Sequence, residues 1–156
     1  MIYIILLAVF FGITLTAFLK RELSQKESHE VNPEDKDAVL KVLDDYMATF
    51  NSKDARAWQT TYHFPHYKLA SGKLSVLERP DMLDPTTFIT LKETGWDHSA
   101  WDRRNMMQTS EGKVHVDTQL SRYKADGTKI GSFESLYIVT KENGRWGVKV
   151  RSSIAE

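Results

Sequence analysis

Residues 113–153 force a sheet on this chain. Val114, Val116, Thr118 and Leu120 alternate with His115, Asp117, Gln119 and Ser121, the period of two that a half-buried strand needs because successive side chains leave opposite faces. After a turn at Ala125-Asp126-Gly127-Thr128, the run 130–140 is dense in β-branched and aromatic residues, which suit a pleated surface. Asn143-Gly144 is the pair favoured in two-residue hairpins, where both central residues take positive φ, and the run 146–154 closes the meander. Such a sheet has an apolar face that another layer must cover, so the upstream residues are read for what covers it.

Asn32-Pro33-Glu34-Asp35 is a helix start: Asn32 caps free amides, Pro33 takes the first helical position, and two acids meet the positive end of the dipole. Val39, Val42, Leu43, Tyr46, Met47 and Phe50 recur at three- and four-residue steps and predict a helix to about Phe50 with one apolar stripe. A short second helix begins at Asp54-Ala55-Arg56-Ala57-Trp58 and aims Trp58 and Tyr62 inward. His63-Phe64-Pro65-His66 stops it. Segments 67–70 and 73–77 flank Ser71-Gly72 as a small hairpin. Asp84-Pro85 opens a third helix with Phe88, Ile89 and Leu91 on its apolar face, and Gly95 stands just beyond its end. Trp96 and Trp101 bracket a turn at 97–100, and 103–110 pairs with the meander. Helices grouped ahead of a sheet mean α+β: a curved antiparallel sheet of about four to six strands covered by three helices.

Residues 2–19 carry no charge and are long enough, at about 1.5 Å per residue, to cross a hydrocarbon core of roughly 30 Å. No basic residue precedes the run, and Leu15-Thr16-Ala17 is a poor cleavage site, so a single-pass membrane anchor over 1–20 is expected; a cleaved signal, giving a secreted or periplasmic domain, is the alternative. Lys20, Arg21 and Lys26 on the C-terminal flank put the folded domain on the cytoplasmic side. Residues 21–32 form a polar linker, and 33–156 the folded domain. Basic and acidic residues number 21 each, which argues against a nucleic-acid partner. The absence of cysteine excludes disulfides, thiolate nucleophiles and zinc–cysteine sites.

Tyr46-Met47-Ala48-Thr49-Phe50-Asn51-Ser52-Lys53-Asp54 resembles the tyrosine-bearing first helix of the nuclear-transport-factor-2-like (NTF2-like) superfamily, with its Asn-x-x-Asp step into the second helix. Gly144-Arg145-Trp146 is similar to that superfamily's last hairpin. The superfamily includes ketosteroid isomerase, scytalone dehydratase and SnoaL-like cyclases, and the resemblance implies a cone with a pocket at its open end and a homodimer formed through the outer sheet face. Tyr46 matches the isomerase tyrosine that stabilises an oxyanion. Ala70 stands where the isomerase has its aspartate base, and Leu136 or Tyr137 where it has its second, protonated aspartate. Ketosteroid isomerase chemistry is therefore not expected.

The expectation is a membrane-tethered domain that binds a small apolar molecule, with Trp58, Tyr62, Trp96, His98, Trp101, Tyr123 and Tyr137 lining the pocket and Arg151 available to a ligand carboxylate. The alternative is a SnoaL-like or scytalone dehydratase-like lyase or isomerase with Tyr46, His63 and His66 as acid and base groups, which competes with the two histidines merely ending a helix. His63, His66, His98 and His115 have low-specificity spacing for a metal, so no metal or cofactor is expected. Arg103 and Arg104 read as a solvated face, and His115 and Asp117 as a solvated pair.

Overall fold

The computed structural model describes residues 32–154; the apolar run 2–19 and nearly all of the linker lie outside them. Asn32 caps the first helix, α1 (Pro33–Asn51), its side chain accepting from the Glu34 amide at 3.1 Å. The expected stripe is buried at Val39, Leu43, Tyr46, Met47 and Phe50, whereas Val42 is half-buried. Asp54 caps α2 (Ala55–Gln59) by accepting from the amides of Arg56 and Ala57. Asn51 ties α1 to the sheet: its side chain donates to the Ser99 carbonyl at 2.8 Å and accepts from the Ser99 amide at 2.9 Å. The Asn-x-x-Asp step thus holds two joints at once.

The strands are β1 (Tyr62–Ala70), β2 (Lys73–Leu77), β3 (His98–Ser110), β4 (Lys113–Tyr123), β5 (Lys129–Glu142) and β6 (Arg145–Ser153); α3 (Thr86–Glu93) lies between β2 and β3. They form one six-stranded sheet in the order β2-β1-β6-β5-β4-β3. This is the α+β architecture expected, with one difference: β1 runs parallel to β6. Asn143 and Gly144 take φ of 52° and 78°, the paired positive values anticipated for that hairpin.

Three local expectations are corrected. The stretch 63–66 belongs to β1 and does not merely stop a helix; Pro65 offers no N–H to a ladder, and the β1–β6 register shifts between Tyr62 and Tyr67. The segment 97–100 is not a turn, since β3 starts at His98 and pairs from there with Tyr123. Ile89, assigned to an apolar face, is 61% exposed, while Leu91 is buried. Gly95, at φ +81°, follows α3 as expected.

The inner face of the sheet carries Val114, Val116, Thr118 and Leu120 of β4 and Tyr137 and Val139 of β5, all buried, and Tyr137 meets the Tyr46 ring of α1 edge-on. On the outer face Asp117 accepts from Arg103, not His115, at 2.7 and 3.1 Å, and Arg103 also reaches Glu134 at 3.3 Å. Arg104 turns to the Leu40 carbonyl and pairs with Asp44. The two arginines read as a solvated face are therefore both ion-paired.

Candidate functional site

One register row explains where the site lies. Ser75 pairs with Lys68, Lys68 with Arg151, and Arg151 with Tyr137, running from β2 across β1 and β6 to β5. Arg151 reaches this inner row because the β5–β6 register shifts between Ile138 and Val139, which leaves Lys149 as an extra residue on β6. A one-residue bulge reverses which side chains face inward. Without it, simple alternation would place Val150 inside with Val148 and send Arg151 out.

Between this row, α2 and α3 lies a cavity of about 210 Å³, walled by Trp58, Tyr62, His66, Leu77, Leu91 and the segment 82–84, with Lys68, Arg122 and Arg151 projecting into it. Two larger depressions, of about 440 and 770 Å³, lie outside the cone, one between α1 and the β5–β6 hairpin and the other beside α2. Of the three, the smaller cavity brings a buried histidine, His66, together with two half-buried arginines, Arg122 and Arg151, and is the candidate site. Among the described residues its only carboxylate is Asp84, exposed at the rim with one oxygen taken by the Thr86 amide at 2.8 Å.

His66 is 2% exposed and stacks on Tyr62 with ring centroids 4.1 Å apart. Its Nδ1 lies 3.1 Å from the Val148 carbonyl, which can only accept, so Nδ1 carries the proton and Nε2 the lone pair. Burial chiefly pushes its pKa down to about 4, against the bond to Val148 and with help from Arg151 and Lys68, so the ring is neutral at pH 7. Tyr46, 2% exposed, contacts the rings of Trp58, Tyr62, Trp101 and Tyr137 and accepts from Arg151 Nη1 at 3.4 Å. Burial raises the pKa values of Tyr62 and Tyr137 and keeps these phenols neutral.

Cations dominate the polar wall. Arg151 donates through Nη2 to Ser153 Oγ at 3.1 Å, and Ser153 meets Ser135 at 2.6 Å. The Arg122 guanidinium lies 4.4 Å from the centre of the Phe133 ring. Burial, then Arg151, lowers the pKa of Lys68, and the same two causes in that order lower that of Arg122.

Of the residues singled out in the sequence, Trp58, Tyr62, His66 and Arg151 meet at this cavity, with Tyr46 and Tyr137 adjoining. His63 is separated from them. Its ring packs over Gly147, and its Nε2 donates to the carbonyls of Thr140 at 3.1 Å and Arg145 at 3.0 Å. Its Nδ1 accepts from Arg145 Nη2 at 3.0 Å, so both nitrogens are engaged. Trp96 is a core residue that donates to Ser99 Oγ, and Trp101 donates to the Leu43 carbonyl. His98 and Tyr123 stack on each other, with Asp97 3.0 Å from His98 Nδ1.

The family model described as NTF2-like protein (DUF6841) matches residues 34–153. The chain belongs to this NTF2-like family. Among solved structures, the NTF2-like domain is similar to a protein of unknown function with a cystatin-like fold from Nostoc punctiforme: TM-score 0.67, 14% identity, covering 81% of this chain and 95% of that one. A ketosteroid isomerase-like protein from Erwinia carotovora atroseptica gives TM-score 0.59 and 22% identity over 80% of this chain and 100% of that one. Aln2 from a Streptomyces species gives 0.64 and 13% over 80% and 93%. At these identities the likeness concerns the fold. No curated protein matches the chain.

Lys68 and Arg122 were not anticipated as site residues. Arg122 did have a signal, since it continues the alternating series Val114, Val116, Thr118, Leu120 by one step onto the inner face. Lys68 had none, being one of three successive exposed residues, Tyr67, Lys68 and Leu69.

Proposed function

We propose that this NTF2-like domain binds a small molecule in the cavity between β1, β6, α2 and α3, does not carry out ketosteroid isomerase chemistry, and is held at a membrane by residues 2–19. The observation that supports binding is the cavity's make-up. Apolar walls from Trp58, Leu77 and Leu91 face convergent polar groups, the pattern of a ligand site. Among the described residues no carboxylate stands in its depth to abstract a proton next to a carbonyl, and His66, with a pKa near 4, is a weak base. The lyase alternative is further weakened because His63 is outside the cavity with both nitrogens engaged.

Thermal denaturation against a panel of small aromatic and aliphatic compounds tests this reading. A ligand at one hundred times its Kd stabilises by about 2.7 kcal/mol, several degrees for a domain of this size. A rise for at least one chemical class is expected; no rise for any contradicts the proposal. Among the described residues no helix is long and apolar enough to cross a membrane, so the tether rests on 2–19. Carbonate extraction of the full chain should leave the protein in the pellet, and release to the supernatant would refute the tether.

A further inference from the structure

Four buried side-chain atoms lack a hydrogen-bond partner among the described residues: Trp58 Nε1, Arg122 Nε, Tyr137 Oη and Arg151 Nε. All four bear a hydrogen to donate. Trp58, Arg122 and Arg151 line the cavity, and Tyr137 is the register partner of Arg151. An unpaired buried polar group costs about 1–3 kcal/mol, and native proteins keep few of them. Unpaired donors gathered in one place define their complement, a group that only accepts.

Charge leads to the same place. Lys68, Arg122 and Arg151 make no ion pair with a described residue, whereas Arg103, Arg104 and Lys149 all do. Since basic and acidic residues are equal in number, the surplus of cations here comes from arrangement and not from composition. Arg122 and Arg151, half-buried and without a counter-ion among the described residues, lack the pairing that buried charge requires, and the exposed Lys68 adds a third cation beside them.

We propose that the cavity holds the carboxylate of a small organic acid. Its oxygens accept from the Nε–H groups of Arg122 and Arg151 and from the Lys68 ammonium, and its apolar body rests against Trp58, Leu77 and Leu91. This names the ligand class for the binding reading above and depends on it. The fit is one of number and size. Arg151 already directs Nη1 to Tyr46 and Nη2 to Ser153, so it offers one free edge, and Arg122 offers its Nε. A volume of about 210 Å³ equals about seven waters at roughly 30 Å³ each, room for an acid the size of benzoate.

The test is calorimetric titration of the full-length protein in neutral detergent with benzoate, its uncharged isostere benzamide, and inorganic phosphate. Benzoate is expected to bind at least tenfold more tightly than the other two, and Arg151→Met or Arg122→Met to remove that preference. Because the unpaired cations are costly, Arg122→Met is also expected to raise the melting temperature without ligand; a fall would assign Arg122 a structural role and overturn its part in the site. Benzamide binding as tightly as benzoate overturns the carboxylate while leaving the cavity as a binding site. Phosphate binding more tightly than benzoate replaces the carboxylate by a phosphoryl group. Binding of none of the three overturns both readings.

Discussion

His66 couples the cavity to acid. In the unfolded chain its imidazole has the ordinary pKa of 6.5, and in the fold about 4. Below pH 6.5 the unfolded state therefore binds a proton that the native state refuses, and stability falls with falling pH until both states are protonated near pH 4. At about 1.4 kcal/mol per pKa unit, the full loss is roughly 3 kcal/mol. Urea unfolding across this range should show that decline, with His66→Asn flattening most of it; an unchanged profile in the variant would show that His66 is not its source. Asn51 is the second residue with a clear account. Losing its paired bonds to the Ser99 backbone, Asn51→Ala should lower stability by about 2 kcal/mol in urea unfolding at an unchanged m-value. A change under 0.5 kcal/mol would mean that the joint is held elsewhere.

Among the elements, β6 shows both what sequence pattern reveals and where it stops. Its hairpin, its closing position and its aromatic-aliphatic run were legible in Asn143-Gly144 and in the residues that follow, because turn chemistry and strand propensity are local. The bulge that leaves Lys149 unmatched is set by the fit of β6 to β5, and no local pattern announces it. Hence Arg151 could be named as a carboxylate anchor, but not assigned to the inner row. The same holds for β1, where His63 and His66 look like a pair three residues apart yet join different environments through the register shift after Tyr62. The His63 contact gives a sharp prediction. A Cβ on Gly147 would stand 2.8 Å from His63 Cδ2, and the ring is pinned by Thr140 and Arg145. Gly147→Ala should cost about 1–3 kcal/mol. In a His63→Ala background that cost should largely vanish in a double-mutant cycle; additive costs would exclude the clash.

At the scale of the molecule, the helices and the strand order of the meander were legible because they follow from apolar periodicity and caps, and the cone was implied by the resemblance to the superfamily. The character of the pocket was not. Aromatic residues suggested a site for an apolar ligand, yet Trp96 and Trp101 serve the core, while the cavity collects Lys68, Arg122 and Arg151 around the neutral His66. The cavity gathers cations and, among the described residues, its one carboxylate, Asp84, is exposed at the rim, which favours holding an anion over abstracting a proton. The Nε–H groups of arginine can be observed directly in nitrogen–proton correlation spectra, which makes them reporters of this claim. On addition of benzoate, the Nε–H signals of Arg122 and Arg151 should move downfield together and exchange more slowly with water, while that of Arg103, already bonded to Asp117 on the outer face, stays fixed. Benzoate binding that leaves the Arg122 and Arg151 signals unmoved would place the ligand elsewhere and contradict the account.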